Sequence, residues 1–200
     1  MKVAVIESSG PDDFYNGTVD GLSTHQLLGI LRIHARFNYG LDTKHLRKSL
    51  ERAKTLKFDV VHLSCHGDED RKGFFLGSGD LITWADFVHL FQEKEYSPKA
   101  LVLSACFGGT RPLALEFKKT KHRPAMIFGS RDARPHGDYA TAWAILYRVL
   151  MDSEIDKDTA KVAIRHINAV VKGDFVYRRW DKTKKAFRVY PEKPQKYQVT

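Results

Sequence analysis

The sequence predicts an α/β protein with a mainly parallel central sheet, helices on both faces and a C-terminal β-hairpin. Three observations carry this prediction. Short apolar runs alternate with stretches of helical periodicity along most of the chain. The central runs are apolar on both faces, as expected for strands that helices cover on both sides. The last part of the chain instead alternates between apolar and polar residues around a polar turn, which is typical of a hairpin.

The first half of the chain is predicted as strands alternating with helices. Val3–Glu7 is a strand, and an acidic loop follows over residues 8–21. Apolar spacing then predicts a helix over residues 22–33, with Ser23 or Thr24 as its N-cap. The next elements are a strand over residues 34–41, a charged helix over residues 43–56 capped by Asp42 or Thr43, and a strand over Phe58–Ser64.

The second half continues this alternation. A hairpin turning on Gly77–Asp80 precedes a helix of about ten residues that starts at Thr83 or Trp84. The remaining elements are a strand over Ala100–Ser104, a helix over residues 110–122, a strand over residues 125–130, helices over residues 138–152 and 156–173, the second ended by Gly173, and two strands within residues 175–190.

Length and composition indicate one globular unit. The chain has 200 residues, 42% of them hydrophobic, enough for a substantial core. We assign residues 1–173 to the α/β domain and residues 174–200 to a basic hairpin and tail packed on it. We expect no membrane association, since no apolar run reaches the roughly 18 residues of a span, and no signal peptide. Two cysteines alone indicate a reducing, cytoplasmic location.

The net charge of +9 is concentrated near the C-terminus. Residues 172–200 hold nine Lys and Arg residues against three acidic residues, which accounts for six of the nine net positive charges. Such a segment can bind nucleic acid or an acidic protein partner. A solvated hairpin that keeps the protein soluble is the alternative interpretation.

Two predicted strands end in reactive side chains followed by glycine. His66-Gly67 follows one strand, and Cys106 follows the next core strand forty residues later. Because ligands bind beyond the carboxyl ends of parallel strands, these side chains converge if the strands are neighbours. Cys106 can then act as a nucleophile and His66 as its base. The backbone N–H groups of Gly67 and Cys106 are candidate donors to an oxyanion.

A metal site is the competing interpretation of the residues around His66. His62, Cys65 and His66 lie close in sequence, but a metal site needs three or four converging ligands, and Cys65 is expected to face away from His66. We therefore predict no metal and no other cofactor.

The two strand ends resemble a known family. "HLSCHGD" followed by "ALVLSACFGG" is similar to the caspase-like cysteine peptidases of clan CD, and most closely to bacterial CHAT-domain peptidases, over roughly residues 55–150. The resemblance implies a caspase-like three-layer sandwich, His66 as general base and Cys106 as nucleophile. It also implies a protein substrate, a role in bacterial defence or cell death, and a regulatory or sensor protein partner. Ser104 departs from the Gln of eukaryotic caspases.

Two functions remain open at this point. The first is a cysteine endopeptidase, for which Asp132 in the loop after residues 125–130 is the candidate reader of a basic or neutral residue before the scissile bond. Capping a helix or pairing with Arg131 is the alternative role of Asp132. The second function is a catalytically inactive binding module whose basic C-terminal segment contacts nucleic acid or an acidic protein.

Overall fold

A computed structural model describes residues 1–194 of the chain. Within this range the strands are β1 (Lys2–Ser8), β2 (His34–Tyr39), β3 (Val60–Gly67), β4 (Gly73–Phe75), β5 (Leu81–Thr83), β6 (Ala100–Ser104), β7 (Met126–Ser130), β8 (Phe175–Asp181) and β9 (Ala186–Tyr190). The helices are α1 (Pro11–Asn16), α2 (Asp20–Ile30), α3 (Thr43–Thr55), α4 (Trp84–Glu93), α5 (Arg111–Lys118), α6 (His136–Leu150) and α7 (Lys157–Val170).

The strands form one mixed sheet whose centre is parallel. Its main path runs β2-β1-β3-β6-β7-β8-β9, in which the first five strands are parallel and the last two are antiparallel additions. The hairpin β4-β5 pairs with the end of β3, at His66 and Gly67. The predicted α/β class is confirmed, with a mostly parallel sheet and a C-terminal hairpin at its edge.

Helices cover both faces of the sheet and enclose two separate apolar cores. On β1, Ala4 and Ile6 face a core shared with α3, α4 and α5, whereas Val3 and Val5 face a core shared with α2, α6 and α7. This division follows from the alternation of side chains along a strand, because every central strand must supply apolar residues to both cores. The architecture is therefore a three-layer sandwich.

The C-terminal hairpin is part of the central sheet. β8 pairs with β7 along its whole length, and Phe175 and Val176 are fully buried. Asn168 of α7 ties β8 further, because its side chain donates to the Phe175 carbonyl and accepts from the Phe175 N–H. The packing of residues 174–194 is thus continuous with that of the preceding residues, while residues 195–200 of the assigned tail lie outside the described range.

The structure adds one helix that the sequence did not predict, and several predicted boundaries differ from the observed ones. The acidic loop contains α1, which begins with Pro11 and is stabilised at its start by Asp13, whose carboxylate accepts from the Gly10 N–H at 3.0 Å. α2 begins at Asp20 rather than near Ser23 or Thr24, and Val19 is its N-cap. α7 ends at Val170 rather than at Gly173, because the chain turns back early into β8.

In the described part of the chain, none of the helices combines the length and the apolar character that crossing a lipid bilayer requires.

Candidate active site

The register of β3 and β6 brings the two reactive strand ends together. Ser64 of β3 is paired directly with Ser104 of β6 in the parallel ladder. His66 and Cys106 each lie two residues beyond this pair, so both follow the same position on neighbouring strands. Neighbouring strands lie about 4.8 Å apart. The condition set in the sequence analysis, that these two strands are neighbours, is therefore met by the sheet order, and both side chains belong to the face covered by α2 and α6.

Gly67 lies against the backbone of Cys106. A Cβ atom added to Gly67 would be 1.9 Å from the carbonyl oxygen of Cys106 and 2.8 Å from its nitrogen. No other residue type can be accommodated there unless the backbone moves. In the β3-β4 ladder, the N–H of Asp68 donates to the Gly73 carbonyl, which leaves Gly67 in a non-hydrogen-bonded position. The Gly67 N–H is accordingly directed away from β4.

Cys106 sits in a turn that the loop after β7 holds in place. Phe107 has a left-handed backbone with φ of 62°, and its N–H donates to the Asp132 carbonyl at 3.3 Å. The Gly109 N–H donates to the Ser130 carbonyl at 2.7 Å. The Cys106 thiol is half-buried and lies 3.8 Å from the Arg134 carbonyl, to which it donates. The position of the sulfur is thus determined by β6 and by the β7-α6 loop together.

Cys65 has the opposite environment. Its side chain lies in the core beneath α3, α4 and α5, and burial raises the pKa of its thiol well above the ordinary value. A buried thiol of this kind is an inert apolar side chain. The prediction that Cys65 faces away from His66 is confirmed.

Asp13 holds the imidazole of His66. The Nε2 atom of His66 lies 2.7 Å from Oδ2 of Asp13. The His66 side chain is about half exposed, whereas that of Asp13 is mostly buried. Partial burial alone would raise the pKa of Asp13, but the hydrogen bond and the charge of His66 outweigh it and lower that pKa below its ordinary value. With Nε2 engaged, the other ring nitrogen, Nδ1, remains for proton transfer.

His136 extends the cluster on the other side of Asp13. Its ring stands perpendicular to that of His66, with centroids 5.4 Å apart, and its Nε2 atom lies 3.5 Å from Oδ1 of Asp13. Its Nδ1 atom lies 3.2 Å from Oδ1 of Asp20. The hydrogen bond with Asp20 is the main reason why the pKa of His136 is raised. Asp13, His66 and His136 therefore form one connected polar group.

Two buried carboxylates lie beneath this group. Asp20 accepts hydrogen bonds from the hydroxyls of Ser64 and Ser104, the paired residues of β3 and β6. Glu7 at the end of β1 accepts from the backbone and side chain of Ser9 and from the Gly21 N–H. Burial raises the pKa of Glu7 to about 7. The floor of the site thus consists of two buried acidic side chains.

Tyr139 supplies a buried hydroxyl beside the cysteine. Its oxygen has no hydrogen-bond partner among the described residues. Burial, reinforced by the neighbouring Cys106, raises the pKa of this phenol well above its ordinary value. Tyr139 therefore stays a neutral hydrogen-bond donor near the sulfur.

Asp132 is engaged by its own loop. Its Oδ1 atom accepts from the Ser130 hydroxyl and from the Asp174 N–H, and Oδ2 lies 3.3 Å from Nε of Arg134. Arg131 does not pair with it, since its guanidinium binds both carboxylate oxygens of Asp174 at 2.7 and 2.8 Å. In the structure Asp132 braces the loop next to Cys106, and its role in reading a substrate stays a prediction.

His62 is not part of the site. It is fully buried under α6, where its Nδ1 atom lies 3.0 Å from the Tyr147 hydroxyl, and burial lowers its pKa to about 4. The metal-ligand set weighed in the sequence, His62 with Cys65 and His66, is therefore not brought together. A different set converges instead, since one ligand atom each from Asp13, His66 and His136 lies within 4.8 Å of the others.

Sequence reasoning missed Asp13, Asp20, His136 and Glu7. The capping signature of α1, Gly-Pro followed by two aspartates, was the available signal for the placement of Asp13. No local pattern indicated the other three residues: Asp20 and His136 bind partners that are distant along the chain, and the contact of Glu7 with Ser9 has no sequence signature.

No family model matches the chain, and no curated protein matches it. Solved structures do. The chain is similar to a secreted C11 cysteine protease from Bacteroides thetaiotaomicron, "iotapain", with a TM-score of 0.60 and 9% identity over 89% of this chain and 65% of that one. It is similar to the structure of a secreted C11 cysteine protease from the same organism with an irreversible peptide inhibitor, with a TM-score of 0.61 and 10% identity over the same shares.

A third solved structure extends this similarity. The chain matches the complex of the pro- and mature domains of RgpB from Porphyromonas gingivalis with a TM-score of 0.52 and 11% identity, over 83% of this chain and 42% of that one. The chain thus spans just under two thirds of the C11 proteases and less than half of the RgpB chain. The class that these similarities define is the caspase-like α/β fold. The chain has the fold of the C11 cysteine proteases. At 9–10% sequence identity, this similarity shows a shared fold and no more than that.

Proposed function

We propose that this protein is a cysteine endopeptidase in which Cys106 is the nucleophile and His66 the general base. The observation that carries the proposal is the register of β3 and β6, which places both residues two positions beyond the Ser64–Ser104 pair. The protease fold of the similar structures supports it.

The proposed reaction begins with the thiolate of Cys106 attacking the carbonyl carbon of a peptide bond. His66 accepts the thiol proton and then delivers it to the leaving amine, after which it activates the water that releases the acyl group. Asp13 holds the ring through Nε2 and stabilises the imidazolium that forms in each step. The N–H groups of Gly67 and Cys106 serve as donors to the oxyanion; for Gly67 this agrees with the direction of its N–H away from β4.

The experiment that tests the proposal is covalent labelling by a peptide-based electrophile, with the modified residue identified by mass spectrometry. We expect Cys106 to be labelled rapidly, Cys65 not to be labelled, and the His66→Ala variant to be labelled slowly. The matched control is Cys65→Ala, which removes the buried thiol and keeps the site. Labelling that is independent of His66 would contradict the proposed dyad.

The preference for a basic or neutral residue before the scissile bond remains part of the proposal, with Asp132 as its reader. Accepting a substrate cation would require Asp132 to exchange its contact with Arg134 for one with the substrate. A peptide panel that varies only this residue tests the idea in wild type and in Asp132→Ala. A preference for aspartate would contradict it, and a basic preference that survives Asp132→Ala would contradict the assignment of Asp132.

The biological setting is proposed from the sequence resemblance to CHAT-domain peptidases. On this basis the protein is a cytoplasmic protease of bacterial defence or cell death, controlled by a regulatory or sensor protein. Mapping new protein N-termini after incubation with a proteome, with Cys106→Ala as the control, identifies its substrates. Cleavage of no protein by an enzyme that turns over short peptides would contradict a role in protein processing.

A second candidate function is binding of a polyanion, and a basic cleft at the opposite end of the central strands favours it. The cleft has a volume of about 670 Å³ and lies where β6 and β7 begin, beside the Trp180 ring. Six cationic side chains and no acidic one line it: Lys99, Lys118, Lys121, Arg123, Lys182 and Lys185. Arg123 stacks over Trp180 with 4.0 Å from its central carbon to the ring centroid.

Salt-dependent binding to DNA or RNA tests this candidate directly. If the chain is a binding module alone, nucleic acid binds and Cys106 resists the electrophile. If it is the proposed peptidase, Cys106 reacts whether or not nucleic acid is bound.

A further inference from the structure

The cluster of Asp13, His66 and His136 has the geometry of a transition-metal site. One ligand atom from each residue lies within 4.8 Å of the other two. Nε2 of His66 is 2.7 Å from Oδ2 of Asp13, and Nε2 of His136 is 3.5 Å from Oδ1 of the same carboxylate. Ligand atoms around a tetrahedral Zn²⁺ with bonds of about 2.0–2.1 Å are about 3.3 Å apart. Small side-chain rotations therefore suffice to place all three atoms around one ion.

The second ring nitrogen of His136 is already held as it is in metal sites. Metal-binding histidines almost always donate their other N–H to a carboxylate, a carbonyl or water, which fixes the tautomer and the direction of the coordinating nitrogen. Here Nδ1 of His136 faces Oδ1 of Asp20 at 3.2 Å. Asp20 is itself buried and held by the hydroxyls of Ser64 and Ser104. This support directs the free Nε2 of His136 toward Asp13 and His66.

The donor set selects the kind of ion. Two imidazole nitrogens and one carboxylate oxygen are ligands that Zn²⁺ and its neighbours in the first transition row bind well. Ca²⁺ and Mg²⁺ instead require shells made almost entirely of oxygen. The three ligands come from α1, the end of β3 and the start of α6, so no local sequence motif signals them. The exposed side of His66 leaves room for a water molecule as fourth ligand.

We propose that Asp13, His66 and His136 bind Zn²⁺ and that the bound ion inhibits the protein. The ion takes the position between His66 and Asp13 that a shared proton occupies in the hydrogen bond. His66 then loses its carboxylate partner. With Nε2 on the metal, the single proton of the neutral ring is on Nδ1, so no ring nitrogen is left to accept the Cys106 proton. The inhibitory consequence rests on the proposed peptidase function, whereas the binding itself does not.

The binding test is a Zn²⁺ titration of the Cys106→Ala protein, monitored by calorimetry and by competition with a chromophoric chelator. Removing the thiol ensures that any ion bound is not held by Cys106. We expect one Zn²⁺ per chain, and we expect Co²⁺ to produce a visible absorption spectrum characteristic of nitrogen and oxygen ligands. Adding His136→Ala or His66→Ala to this background should weaken binding by about 100-fold or more, since each removes a ligand and loss of an outer partner alone costs 10- to 100-fold.

The matched control is His166→Ala, which removes an exposed histidine from α7 and should leave the affinity unchanged. Affinity that is unaffected by both His136→Ala and His66→Ala, or the absence of stoichiometric binding, would overturn the proposed site.

Activity provides the second readout. In the wild-type protein Zn²⁺ should suppress peptide hydrolysis and a chelator should restore it, and the concentration needed should rise in His136→Ala. Undiminished hydrolysis with the ion bound would overturn the inhibitory role. A wild-type protein that hydrolyses no peptide at all contradicts the peptidase proposal instead, while the titration still decides the metal site.

Discussion

A methyl group at Gly67 would collide with the backbone of the proposed nucleophile. The added Cβ would lie 1.9 Å from the carbonyl oxygen of Cys106 and 2.6 Å from its carbonyl carbon. Non-bonded heavy atoms require about 3.5 Å, so one strand end must move by roughly 1.5 Å. Backbone atoms cannot rotate out of the way as a side chain would. Overpacking of this kind costs about 1–3 kcal/mol of stability, and a 1 Å displacement in an active site can cost about 100-fold in rate.

We therefore expect Gly67→Ala to lower kcat/KM by about 100-fold or more and to reduce the free energy of unfolding by about 2 kcal/mol. Urea unfolding measures the stability, and peptide turnover together with the rate of electrophile labelling measures the reactivity of Cys106. Both activity assays are run without denaturant, under conditions in which circular dichroism shows that the variant is folded.

Gly29→Ala is the matched control. Gly29 lies on the exposed side of α2, and nothing lies within 4 Å of an added Cβ there. This variant should gain about 0.5–1 kcal/mol from its higher helix propensity and label at the wild-type rate. A folded Gly67→Ala protein with wild-type labelling and turnover would refute the argument that Gly67 is required by its contact with Cys106.

Three further predictions follow from the site and its surroundings. Cys106→Ala and His66→Ala should each reduce kcat/KM by about 10⁴-fold without unfolding the protein, whereas Cys65→Ala should leave turnover nearly unchanged; the reverse pattern for the two cysteines would contradict the assignment. Burial raises the pKa of Glu7 from 4.5 to about 7, so its contribution to stability is greatest below pH 4.5 and falls by about 3 kcal/mol as the pH rises through 7. Glu7→Gln should remove this part of the pH dependence in urea unfolding, and an identical slope in both proteins would contradict the burial of an ionisable Glu7. Ending the chain at residue 173 should abolish the cooperative unfolding transition, because it removes β8 from the sheet; a stable truncated protein would show that β8 is dispensable.

Much of the fold and the central pair of the site could be read from the sequence. Residues 60–65 of β3 and all of β6 are buried on both faces, and only a sheet covered by helices on both sides satisfies that pattern. Because parallel strands place their carboxyl ends on one edge, the side chains that follow such runs were expected to share a cleft. The forty-residue spacing between His66 and Cys106 equals the offset of the Ser64–Ser104 pair. The two residues therefore occupy equivalent positions after their strands.

The surroundings of that pair were decided by tertiary structure alone. The strand order places β1 next to β3, and this brings Asp13 and Asp20 from the segment after β1 onto His66, Ser64 and Ser104. Hydrogen bonds between residues so distant along the chain leave no periodicity or motif in the sequence. The antiparallel addition of β8 to β7 likewise depends on the strand order, in which β7 is the edge of the parallel part of the sheet. A strand pattern determines that a segment is extended, but the partner it pairs with is determined by the burial available in the folded chain.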